Sequence, residues 1–409
     1  MLYENRTMVD RYEQVMLYTP AEFRRRIDGI CSLMRGKNVD TLFFPECAEE
    51  AYDEWLLGKR MLEYMIVRAD GTAVGVMWNE TGIADTLLET PDPRRYVAMG
   101  HDTVAVCDGI RFVDRVSAEK LADLLAAGTP ARIGLVLPEQ MPALLADAIA
   151  RVLPRAELVD MTIPVALFRA VKSEEELYVI RQAVNIQKAV FEAMPQLMRP
   201  GRRVNDINDE MSYLLMQMGA SGVVHASLIC NGQQDVPSQG FGGDPDHVVT
   251  PGDRFFALME AAGPGHHHAA FGRHFVIGDL DPAWEKCVAD AVRVHQYAVD
   301  LMKPDSLTLA QIAVRTRKYS NRLGYTMRES VGWNWMHSMG GYYYEQYSLE
   351  DYTEDIPLEE NILLHCHPVI YREFPGGLRE DLFILNTYLV TRDGAQDLVG
   401  IPMELMPLN

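Results

Sequence analysis

Apolar positions in the first third of the chain switch between helical spacing and strand spacing. A helical period from about Pro20 to Arg35 precedes the apolar run Thr41 to Phe44, which predicts a strand. Leu62 to Arg68, the turn residues Ala69-Asp70-Gly71, and Val74 to Trp78 predict a hairpin. Arg132 to Leu137 predicts a buried strand, and the Ala/Leu-rich stretch Met141 to Leu153 a helix. Alternation of this kind implies an α/β layer structure for the N-terminal part.

The pattern changes near residue 165. Ser173 followed three residues later by Glu176 has the form of a capping box, which predicts a long helix continuing through Leu177, Ile180, Ala183 and Ile186. Further helices are predicted at about Val204 to Met218, Pro282 to Met302 and Leu307 to Leu323. Strands are expected at Ala226 to Cys230, Arg254 to Ala262, Ala269 to Ile277, Ile362 to Tyr371 and Leu378 to Thr391. Helix pairs interleaved with strands make this part α+β. The expected division is residues 1–165 and 166–409.

Composition narrows the partners. The 409 residues are 48% apolar, and no apolar run approaches the roughly 18 to 20 residues of a membrane helix. A polar N-terminus without a signal-like stretch makes the expectation cytoplasmic. A formal charge of -20 argues against nucleic acid, which demands a basic surface. Six cysteines without a CxxC pair predict reduced thiols.

Several stretches occur in the order and spacing of one family. LFRAVKSEEELYVIRQA (167–183) resembles the entry to the catalytic domain of prolidases, aminopeptidase P and creatinase. The turn Pro251-Gly252-Asp253, Arg273, His337-Ser338-Met339-Gly340-Gly341, the residues before Pro368, and Gly377-Leu378-Arg379-Glu380-Asp381 add to the match. The resemblance implies a creatinase-type N-terminal domain, a pita-bread C-terminal domain and a homodimer.

The family's peptidases hold two metal ions with two aspartates, a histidine and two glutamates. On the resemblance, the first aspartate position falls on Glu260, or on Met259 in a register shifted by one. The second falls on Ala270, the histidine on His337, the first glutamate on His367, and the second on Glu380. An alanine cannot ligate, and a histidine cannot bridge two ions as a carboxylate does. Ser238 or Gln239 stands where prolidases and creatinase carry another histidine. The run His266-His267-His268 is a turn-like segment from which one or two side chains can face a site; His268 is favoured by its likeness to ectoine hydrolase-type relatives. His365 and His367 share a strand face, and His365 is read as a core histidine.

The expected activity is hydrolysis of a C–N bond in a small polar nitrogen compound by metal-independent acid–base catalysis. His337 and His367 would transfer protons, while Glu260 and Glu380 would hold a cationic group or attack. Arg273 would bind a substrate carboxylate or form a salt bridge within the sheet, and Tyr342 would cover the pocket or simply pack. No cofactor is expected. The alternatives are a single zinc or iron held by Glu260, His268, His337, His367 and Glu380, in a lyase, a hydrolase or a divergent Xaa-Pro peptidase, and a non-catalytic binding protein.

Overall fold

The computed structural model describes residues 17–45, 47, 51–57, 62–78, 109–230, 232–233, 236–237, 244–279, 282–333, 357–373, 379–382 and 384–408. The chain divides into two compact units between Arg169 and Ala170.

The first unit is α/β. Helix α1 (Pro20–Gly36) opens with Pro20 in its first turn, and the Thr19 hydroxyl accepts from the Glu22 N–H. Strands β1 (Thr41–Phe44), β2 (Leu62–Arg68), β3 (Ala73–Met77), β4 (Ile110–Val113), β5 (Arg132–Leu135) and β6 (Glu157–Asp160) form one sheet in the order β4-β3-β2-β1-β5-β6. β1 is antiparallel to β2 and parallel to β5. The helix expected from Met141 starts only at Ala143, because Leu137 turns the chain with a φ of 58° and Pro142 occupies the N-cap. Helices Ala118–Ala126 (α2) and Ala143–Val152 (α3) bury Leu121, Leu125, Leu145 and Ile149 against Phe43, Ile66 and Ile133.

The second unit is α+β, built from two sheets each backed by a helix pair. The capping box forms as expected at Ser173 and Glu176 and starts α4 (Glu174–Glu192). With α5 (Val204–Gln217), it covers one face of β7 (Gly222–Cys230), β8 (Arg254–Ala262) and β9 (His268–Ile277). Apolar residues of that face alternate along β8 as Phe255, Ala257, Met259 and Ala261. The second sheet contains β10 (Thr326–Trp333), β11 (Leu363–Glu373), β12 (Arg379–Leu382), β13 (Asn386–Thr391) and β14 (Gly394–Asp397). Helices α6 (Pro282–Asp300) and α7 (Leu309–Arg322) lie against it, with Trp284, Val288 and Ala291 packed on Ile370 and Leu382.

The two sheets meet where β9 passes β13. The Gly272 N–H donates to the Leu385 carbonyl at 3.0 Å, and the Thr387 hydroxyl accepts from the Ala270 N–H and donates to the Ala270 carbonyl. Glycine suits position 272, because an added Cβ would lie 2.1 Å from Phe256 Cζ and the buried ring would have to shift. Beside it, the Arg273 side chain is wholly buried. Nε donates to Pro402 O, Nη1 to Gly272 O and Leu385 O, and Nη2 to Ile401 O and Asn386 Oδ1, each at 2.8 to 2.9 Å.

His295 on α6 secures the start of β13 from the helix side. A carbonyl can only accept, so Nδ1 donates to Ile384 O at 3.0 Å and Nε2 accepts from the Tyr388 hydroxyl at 2.9 Å. Burial, reinforced by the charge of Arg273, pushes the His295 pKa down to about 3.

Two expectations follow. Arg273→Lys keeps a charge but cannot reach five acceptors, and should cost about 3 kcal/mol or more; a fall in the urea midpoint with an unchanged slope would show it. For His295, the unfolded imidazole titrates near ~6.5 while the folded one stays neutral. The unfolded chain therefore binds more protons in between, and this contribution to stability is complete above ~6.5 and declines as pH falls towards 3. Urea unfolding at pH 7, 6 and 5 should lose up to about 1.4 kcal/mol per pH unit from this group, and His295→Gln should remove that share of the slope.

Candidate active site

The inner face of the first sheet, turned towards the second, carries the chemistry. β8 alternates, so Phe256, Leu258 and Glu260 point inward while Met259 sits in the core beneath the helices. This removes the register ambiguity: Glu260, not Met259, occupies the inner face. Its partner across β9 is Ala270, and its partner across β7 is His225. The His225 Nδ1 is hydrogen-bonded to Glu260 Oε2. The Glu260 side chain is 8% exposed and that of His225 49%. The Glu260 hydrogen bond raises the His225 pKa above its ordinary value, against the opposing effect of burial.

The second sheet faces this with β11, on which His365, His367 and Val369 share one side. β11 pairs with β12 and β13 in a single continuous register: Ile370 lies opposite Leu382, and Cys366 opposite Asn386. That register sets position 385 opposite His367, whereas Glu380 lies opposite Arg372. Five residue steps along the strand separate His367 from Arg372, roughly 16 Å. Two ligands of one metal centre cannot be that far apart. The assignment of the second glutamate position to Glu380 is therefore corrected to Leu385. The single strand expected from Leu378 to Thr391 is two strands, and the break falls just before this residue. Leu385 packs with Ile229, Phe256, Leu258, Ala270 and Val369 in one apolar cluster. Asp381, read from sequence as a surface partner for a cation, is buried and lies opposite Tyr371. The Glu380 side chain lies outside what is described.

All three histidines of the triplet are buried. His266 has a φ of 60°, and its Nδ1 lies 3.1 Å from Ser221 Oγ, which itself donates to the Gly263 carbonyl at 2.6 Å. With that hydroxyl proton committed, Nδ1 must be the donor. His268 begins β9 opposite Ala262, two residues from Ala270 on the same face. His365 is buried with it: burial first, then the charges of His367, His268 and Lys172, push the His365 pKa down to about 3. A neutral core histidine is the reading that fits. His367 is 9% exposed.

Arg273 has no donor left for a substrate carboxylate, and among the described residues it forms no salt bridge in the sheet. Its five donors are spent on four carbonyls and one amide oxygen. His337, Tyr342, Ser238 and Gln239 lie outside the described residues. Sequence reading missed His225, because the strand was expected to begin at Ala226 rather than Gly222. The alternation His225, Ser227, Ile229 is the signal that was available.

The paired-ion centre that the resemblance implies does not fit this donor set. Ala270 and Leu385 offer no lone pair, His367 cannot bridge, and Glu260 Oε2 is engaged by His225. Among the described residues, no cluster of three or more His, Cys, Asp or Glu is arranged to hold a metal ion. Nor is any described helix long and apolar enough to cross a membrane.

Comparison with known proteins bears on the same region. An Xaa-Pro dipeptidase of Pyrococcus furiosus is 25% identical over 241 residues, 58% of this chain and 65% of the relative, so the match spans just under two thirds of that protein. A probable dipeptidase PepE of Mycobacterium bovis is 26% identical over 325 residues, 77% of this chain and 81% of its own length. In fold, the X-Pro aminopeptidase of Thermotoga maritima superposes with a TM-score of 0.72 at 17% identity, covering 92% of this chain and 98% of that one. The N-terminal domain of the FACT complex subunit SPT16 from chickpea superposes with a TM-score of 0.69 at 14% identity, covering 95% and 99%. Pita-bread architecture accounts for the paired sheets and their helices. The model of metallopeptidase family M24 matches residues 179–392, more than half of the sequence, and the chain belongs to that family.

Proposed function

We propose that this chain is a hydrolase that opens a C–N bond of a small polar nitrogen compound with its own acid–base side chains rather than with metal-held water. The observation that carries the reading is the pair Ala270 and Leu385, which puts hydrocarbon where bridging carboxylates would be required. The relatives named as Xaa-Pro dipeptidases point to C–N hydrolysis as the inherited reaction class. What remains polar on the inner face is proton-transfer chemistry: Glu260 with His225, and His367 beside His268 and His365. Glu260, embedded next to Leu258 and Ala270, suits the cationic nitrogen of an amidine or guanidine better than a neutral peptide. His337 remains the expected further proton donor.

A binding role without catalysis is the second reading. The same two substitutions favour it, together with a fold neighbour that is a domain of a complex subunit.

The test uses untagged protein dialysed against a chelator, offered cyclic amidines, guanidino acids and Xaa-Pro dipeptides, with amine release as the readout. The expected result is turnover of a cyclic amidine or guanidino acid that changes less than about twofold on chelation. Xaa-Pro hydrolysis that needs about two equivalents of manganese or cobalt would overturn the proposal. No hydrolysis of any compound would leave the binding role standing instead.

A further inference from the structure

We infer that His225 is a further proton-transfer residue of this site and that Glu260, through its Oε2, also positions it. The inference deepens the hydrolytic reading above and rests on it for the identity of the reaction.

Strands β7, β8 and β9 together contain a single acidic residue, Glu260. It sits on the inner face, its neighbours there include Leu258 and Ala270, and its Oε2 meets the Nδ1 of the residue directly opposite on β7. An ionised carboxylate only accepts, so Nδ1 carries the proton and the second ring nitrogen, Nε2, is left as the reacting atom. Burial is divided in the way such a pair requires: the carboxylate is 8% exposed and the imidazole 49%. A buried acid behind a half-exposed imidazole fixes the ring while leaving its outer nitrogen within reach of a small molecule. A cross-strand hydrogen bond in a sheet does not by itself need a carboxylate this deep.

The chemistry balances without a further reactant. Nε2 takes one proton of a water molecule as the water oxygen bonds to the electrophilic carbon. The C–N bond then breaks, and the leaving nitrogen takes that proton from Nε2. Water ends as hydroxyl on carbon and hydrogen on nitrogen, and His225 returns to its starting form. Glu260 stays ionised throughout and offsets the imidazolium while it exists.

The experiment uses p-nitrophenyl acetate, an activated ester that an aimed imidazole cleaves whatever the natural substrate is, together with nitrogen-15 spectra of histidine-labelled protein. His225→Ala should lose at least about tenfold of the ester hydrolysis, and added imidazole should restore part of it. Glu260→Gln should lose a smaller part. The spectra should show His225 protonated at Nδ1 in the parent protein and a mixture of tautomers in Glu260→Gln, a signature that a merely structural pair does not require for catalysis to fall. Circular dichroism checks that each variant is folded; if His225→Ala is not, His225→Gln serves in its place. Ester hydrolysis by His225→Ala within about twofold of the parent would overturn the inference, as would an Nε2-protonated His225. Turnover of an amidine that survives His225→Ala sinks this inference and leaves the hydrolytic reading intact. A silent amidine panel with ester hydrolysis that depends on His225 does the reverse.

Discussion

The second unit depends on one buried cation. Arg273 ties β9 to the residue before β13 and to the segment at Ile401 and Pro402, so a single guanidinium fixes three pieces of chain that are distant in sequence. Its charge is answered through an amide. Asn386 accepts from Arg273 and donates to Asp397, whose carboxylate also caps the N–H groups of Val399 and Gly400. Such an arrangement tolerates burial because every donor is satisfied at good length. It also lies beside the contact of the two sheets at Gly272 and Leu385, where a side chain at 272 would displace Phe256.

That contact decides what the centre of the site can be. With β9 and β13 held together, Ala270 and Leu385 lie in one apolar cluster with Leu258 and Val369. In a metallopeptidase of this architecture, this is where carboxylates would hold paired ions. Carboxylates there repel one another unless cations lie between them. Hydrocarbon at Ala270 and Leu385 removes that repulsion, and dispersion and burial hold the sheets together there. The family's scaffold is kept, but the interactions at its centre are of another kind.

Periodicity made much of this legible. β1 and β8 begin and end where their apolar runs do, and the Ser173–Glu176 capping box starts α4 as a local hydrogen-bond motif should. What sequence could not supply came from long-range pairing. Leu382-Phe383-Ile384-Leu385 is one apolar run with no turn residue, so nothing local marks the end of β12 or shows that Leu385, not Glu380, lies across from His367. Arg273 reads from its position as a substrate ligand or a salt-bridge partner within the sheet, and only the five acceptors gathered around it show otherwise. His225 was hidden by a register shift on β7 opposite Glu260 and Ala261, which blurs the alternation that would have extended the strand backwards.

Beside that apolar centre, Glu260 and His225 form a polar pair near the border of the first of the two sheets. Glu260 is the acidic residue of that sheet face among the described strands, and it is hydrogen-bonded to a histidine on β7, the outer strand of that sheet among the described residues. A metal pair can work in the middle of a sandwich because its ions carry their own charge and hold their own water. An imidazole can do neither. It needs one side against a buried acceptor that fixes its tautomer and the other side open to water and substrate, and an edge strand facing a carboxylate one strand inward provides both. The function proposed above therefore draws on two features of the same sheet pair: hydrocarbon at Ala270 and Leu385, and a histidine opposite Glu260.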